Sequence, residues 1–151
     1  MNNGINVNSE IGKLKSVLLH RPGAEVENIT PDTMKQLLFD DIPYLKIAQK
    51  EHDFFAQTLR DNGAETVYIE NLATEVFEKS SETKEEFLSH LLHEAGYRPG
   101  RTYDGLTEYL TSMPTKDMVE KIYAGVRKNE LDIKRTALSD MAGSDAENYF
   151  Y

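Results

Sequence analysis

Two short apolar runs limit the folds open to this chain more than any other feature. The first is KLKSVLLHRPG, residues 13–23, where Val17, Leu18 and Leu19 form the apolar centre and Pro-Gly ends it. The second is AETVYIEN, residues 64–71, where Val67 and Ile69 alternate with Tyr68. Both read as strands bounded by turn residues. Between them lies IPYLKIAQKEHDFFAQTLRDNG, residues 42–63. Here Tyr44, Ile47, Ala48, Glu51, Phe54, Phe55, Thr58 and Leu59 mark one helical face, apolar except at Glu51 and Thr58. Asn62-Gly63 supplies the residue types of a helix C-terminus. A shorter helical stripe, Met34, Leu37 and Leu38, precedes it, with Thr30 as N-cap and Pro31 at N1. Strand, short helix, long helix, strand is the order of a βαβ-type unit with both strands in one sheet.

The character changes after Asn71. TKEEFLSHLLHEAG, residues 83–96, has an apolar stripe of Phe87, Leu88, Leu91, Leu92 and Ala95. Thr83 and Glu86 have capping-box spacing, and Gly96 suits the C′ position. A second stripe holds Leu106, Tyr109, Leu110 and Met113 before Pro114. A third, from Thr115, holds Met118, Val119, Ile122, Tyr123 and Val126. Residues 72–138 therefore read as a small bundle of short helices, and residues 139–151 as a polar return ending on an aromatic run. The fold class expected is α/β with an added helical unit.

With 151 residues there is room for a real core. The net charge of −9 and the lack of a basic run argue against nucleic acid and anionic membranes as partners. No apolar stretch approaches the length of a membrane span. The opening residues MNNGINVNSE lack the basic and then apolar pattern of an export signal. A cytoplasmic location is expected. The absence of cysteine removes disulfides, thiolate metal sites and a cysteine nucleophile from this chain.

Candidate chemistry is sparse. His90 and His93 share one predicted helix face beside Glu94, yet no third ligand follows at a suitable spacing. A solvated or partly buried helix face is the preferred reading over a metal site. His20 follows the first strand directly, where sites often form, but a lone histidine there is more often structural. His52 lies among charges. Neither a phosphate-binding loop nor a nucleophile elbow is present.

One run remains, QLLFDD at residues 36–41. Acids at a helix C-terminus oppose the helix dipole. Leu37, Leu38 and Phe39 read either as core with Asp40 and Asp41 forming a turn, or as an apolar wall beside carboxylates. The second arrangement suits a cation on an aliphatic stem, since a carboxylate binds guanidinium through two parallel hydrogen bonds.

SEIGKLKSVLLHRPG (residues 9–23), TP…LLFDD (residues 30–41) and KEHDFF (residues 50–55), in this order and spacing, resemble the opening segment of bacterial arginine deiminases. The stretch from about Leu72 to Lys134 is similar to that family's helical insertion. The resemblance implies an α/β propeller whose first blade spans residues 1–71, with an inserted α-helical domain over 72–138. It implies hydrolysis of L-arginine to L-citrulline and ammonia in arginine catabolism, through a cysteine thiouronium intermediate, in a homo-oligomer without cofactor. It places Leu38 in the substrate pocket, with Phe39 and Asp41 as further substrate-binding positions and Asp40 on the same border.

The family's FTRDP-like segment and its histidine, glutamate and cysteine segments have no counterpart here, so no catalytic residue is assigned. The chain reads as an N-terminal fragment, inactive alone. The reading of another class is an interaction or oligomerisation module that uses its exposed blade edge and bundle.

Overall fold

A computed structural model describes residues 7–30, 34, 40–127 and 130–131. The two apolar runs form β1 (Ser16–Leu19) and β2 (Glu65–Tyr68). They pair in parallel, in the register Ser16↔Glu65 through Leu19↔Tyr68. The parallel pairing demands a long crossover, and this is what the intervening segment provides. The crossover contains a single helical turn, α1 (Ala24–Glu27), and the long helix α2 (Leu45–Asp61). The chain is thus a mixed α/β structure with a two-stranded sheet among the described residues.

The end of α2 follows its sequence. Asn62 caps it, and Gly63 takes the left-handed backbone at φ 82° that a C′ residue needs. The stripe on α2 behaves less simply. Ala56 is fully buried, and Ala48, His52 and Leu59 are half-buried on the sheet side. Tyr44, Ile47, Phe54 and Phe55 are exposed, Phe54 at 76%. The apolar arc of α2 is wider than a two-stranded sheet can cover, so half of it faces outward.

The second strand stops one residue earlier than its alternation suggests. Ile69 begins α3 (Ile69–Lys79) directly after Tyr68. Residue 71, the expected junction, lies inside that helix. Three more helices follow: α4 (Ser81–Glu94), α5 (Arg101–Thr111) and α6 (Thr115–Ala124). The start of α4 corrects the capping-box expectation. Ser80, not Thr83, is the N-cap, and its Oγ accepts from the Thr83 amide at 3.1 Å. Ser80 wins because its extended backbone separates α3 from α4, whereas Thr83 is already helical. At the other end Gly96 has φ 86°, and the Tyr97 amide reaches Leu92 O at 2.9 Å in a Schellman pattern.

The core sits in the helical part. Phe77, Leu88, Leu92, Leu106, Leu110, Met118, Val119 and Val126 form one buried cluster. It is built from the stripes of α3 to α6, closed by Val126 beyond the last helix. Among the described residues of the strand-containing part only Ala56 and Ala64 are buried, while Leu18 on β1 is 55% exposed. No helix among the described residues is long and apolar enough to cross a membrane.

Candidate functional site

Parallel strands place their carboxyl ends side by side, and crevices outside those ends are the usual sites of open α/β sheets. In this chain β1 runs directly into His20 and β2 into Glu70 on the first turn of α3. Glu70 is favourably placed there, because its negative charge meets the positive end of the helix dipole. The two side chains meet: His20 Nδ1 contacts Glu70 Oε1. On its other side His20 Nε2 lies 3.1 Å from Glu25 Oε1, which comes from α1. Gly23 admits this arrangement. Its amide donates to Glu25 Oε1, and a Cβ at Gly23 would stand 2.8 Å from Glu25 Oε2.

The ring of His20 stacks on Tyr123 of α6, with centroids 4.6 Å apart and an interplanar angle of 24°. Burial pushes the Tyr123 phenol above its ordinary value, and the nearby Glu70 charge adds to this, so the ring remains a neutral stacking partner. Glu70 Oε2 is shielded from solvent and has no hydrogen-bond partner among the described residues. Such a group is costly, and it marks Glu70 as a position held by its neighbours.

A cleft of about 460 Å³ opens beside this cluster. Tyr68, Gln49, Asn71, Lys116 and Glu120 also border it. Its wall is fixed from two directions. Gln49 Nε2 donates to Pro22 O at 2.9 Å, tying α2 to the turn after β1. Arg21 binds Asp53 of α2 through two hydrogen bonds of 2.8 and 2.9 Å. The hydrogen bonds from Arg21 hold the Asp53 carboxyl below its usual range, but both groups are exposed and the pair contributes little.

The sequence-derived site residues lie elsewhere. Leu38 and Phe39 fall outside the described residues. Asp40 and Asp41 are exposed, and neither borders the cleft. Asp41 Oδ1 accepts from the Ile42 amide at 2.8 Å, a local bond of the turn-forming kind. His90 and His93 are exposed on α4, and no group of three metal-ligating side chains occurs among the described residues. The sequence marks His20 as a site candidate, but not Glu25, Glu70 or Tyr123. Glu70 and Tyr123 lie 50 and 103 positions from His20, beyond any local pattern; only the pairing of β1 with β2 brings Glu70 near.

A parallel strand pair, a helical crossover and a helical unit set on the strand ends define a mixed α/β protein. A family model for arginine deiminase matches residues 35–151. The chain is 99% identical over all 151 residues to the arginine deiminases of Lactococcus lactis subsp. cremoris strain MG1363 and of Lactococcus lactis subsp. lactis strain IL1403. It covers 37% of the length of each. The arginine deiminase of Latilactobacillus sakei is 60% identical over 145 residues, which are 96% of this chain and 35% of that protein. The chain belongs to the arginine deiminase family.

Proposed function

We propose that these residues form the opening α/β blade and the inserted helical unit of a protein that hydrolyses L-arginine to L-citrulline and ammonia. The observation that carries this is the family match over residues 35–151, together with 99% identity to two arginine deiminases. In this reading residues 1–71 are the first blade of an α/β propeller, 72–138 the insertion and 139–151 the return to the propeller. The parallel β1–β2 pair with α2 crossing between them supports a blade. The chain's share of the chemistry is binding. Leu38, Phe39 and Asp41 supply one wall of the guanidinium pocket, the aliphatic side chain against the substrate stem and the carboxylate towards its charge.

The reaction requires a thiolate, and this chain contains no cysteine. The thiolate therefore belongs to residues outside this sequence. It attacks the guanidinium carbon, ammonia leaves, and water then cleaves the thiouronium to citrulline and regenerated thiolate. A cytoplasmic homo-oligomer without metal or organic cofactor completes the reading. The test is citrulline production by the purified 151-residue chain beside a longer protein that contains it. Turnover is expected from the longer protein alone; turnover by the short chain would overturn the assignment of roles.

The exposed half of α2 favours a second, compatible reading as an interaction module. Tyr44, Ile47, Phe54 and Phe55 form an uncovered apolar stripe on one helix. Light scattering across concentration tests it. Association that weakens in Phe54→Asp supports the reading, and a strict monomer removes it.

A further inference from the structure

We propose that His20 is a proton-dependent clasp joining the ends of the parallel strands to the helical unit. The geometry is two-sided: Nδ1 faces Glu70 Oε1 and Nε2 faces Glu25 Oε1. An ionised carboxylate only accepts hydrogen bonds, and a neutral imidazole carries a single N–H. Both contacts are satisfied together by the imidazolium, one positive charge between two negative ones. Removing the proton leaves a ring lone pair directed at a carboxylate oxygen, which is repulsive. The ring cannot turn away freely, because it is stacked on Tyr123. A displaced ring therefore reaches α6 at once.

Four elements converge on this histidine. β1 carries it, α1 brings Glu25, α3 brings Glu70 and α6 brings Tyr123. The other charged groups bordering the cleft are already engaged. Lys116 stands 3.8 Å from Glu120 on α6, and Arg21 is held by Asp53 of α2. From β2 comes the Tyr68 phenol, against whose ring His52 of α2 stands edge-on. The two glutamates on the imidazole are thus the charges that its proton answers. With side chains 35%, 28% and 18% exposed, His20, Glu25 and Glu70 are open enough for proton exchange and closed enough to feel each other.

The experiment is thermal unfolding of the 151-residue chain from about pH 5.5 to about pH 8, the range in which histidine changes charge. Three proteins are compared: the parent, His20→Gln and Glu25→Gln. The parent is expected to lose several degrees of midpoint relative to both variants as the pH rises. Glu25→Gln is the sharper comparison, since it removes one of the two negative charges that face the imidazole and leaves the ring in place. His52, His90 and His93 are common to all three proteins, so their contributions drop out of the difference. Hydrogen exchange of α6 amides, corrected for intrinsic rates, reads the same event locally, and protection is expected to fall with pH only in the parent. Should His20→Gln not fold, Glu25→Gln decides alone. Parallel pH profiles in the parent and Glu25→Gln, by midpoint and by exchange, would overturn the clasp.

Discussion

The Tyr109 hydroxyl donates to Glu130 Oε2 at 2.6 Å, and this bond ties α5 to the segment that follows α6. Lys121 Nζ donates to the same oxygen at 2.8 Å. The acid, the phenol and the ammonium form one partly buried network. Burial acts against the Glu130 charge, yet the hydrogen bonds from Lys121 and Tyr109 outweigh it and hold the carboxyl below its ordinary value. Burial, reinforced by Glu130, pushes the Tyr109 phenol up to about 12. The two groups make opposite contributions at the two ends of the pH scale. Stability from Glu130 is present above the unfolded glutamate value and is lost as the pH falls through the lower folded value. Stability from Tyr109 is present below about pH 10, its ordinary value, and is lost as the pH rises towards about 12. Urea unfolding across pH should show Glu130→Gln flattening the acid limb and Tyr109→Phe flattening the alkaline one. Unchanged limbs in both variants would remove the network from the stability of the helical unit.

The cap of α4 gives a second expectation. Ser80 Oγ accepts from the Thr83 amide, while the Thr83 hydroxyl donates to Ser80 at 2.9 Å. Ser80→Ala removes the acceptor for an otherwise orphaned helix amide, at a cost of about 1 kcal/mol. Thr83→Ala leaves that amide bond in place and should cost less. Denaturant midpoints in the order parent, Thr83→Ala, Ser80→Ala are expected. The reverse order would restore Thr83 as the cap.

Much of this architecture is legible in the sequence, for identifiable reasons. The sequences of α4 to α6 carry apolar stripes of four or five residues, and Leu88, Leu92, Leu106, Leu110, Met118 and Val119 from those stripes are core. Gly63 and Gly96 sit where a left-handed C′ residue is needed, and only glycine takes that backbone without strain. What escaped is non-local or too short. α1 has four residues, less than any periodicity can register. Capping-box spacing points to Thr83, whereas the true cap, Ser80, is set by where α3 ends. The stripe on α2 reveals how apolar the helix is, not how much of it a two-stranded sheet covers. The His20 cluster joins residues from four elements, so its charges carry no sequence pattern beyond a histidine at the end of a strand.

Burial divides the chain into two energetic parts, which core substitutions can separate. Leu92 is fully buried in the helical cluster, and Leu92→Ala should cost about 2–5 kcal/mol through lost transfer energy and the cavity left behind. Phe54 is the larger side chain but is 76% exposed, so Phe54→Ala should fall within about 0.5 kcal/mol of the parent. Urea unfolding followed by circular dichroism measures both. A large loss in Phe54→Ala at micromolar protein would mean that its stripe is covered in solution, and the concentration dependence of that loss would identify self-association as the cover.

The pocket-wall reading is tested most directly at Leu38. If Leu38 packs against the aliphatic stem of arginine, truncating it weakens ground-state and transition-state binding alike. A loss of that kind raises KM and leaves kcat near the parent value. Deleting buried methyl groups in an apolar pocket costs about 1–3 kcal/mol, or roughly 10- to 200-fold in kcat/KM. The measurement belongs in a longer, active protein containing this segment, with Leu38→Ala and Asp41→Asn made separately. Asp41→Asn should weaken binding further as salt is lowered, if the carboxylate faces the guanidinium, because an exposed charge acts most strongly at low ionic strength. If instead both variants keep the parent's kinetics, the run is core and turn alone, and the local bond from Ile42 is the whole role of the Asp41 carboxylate.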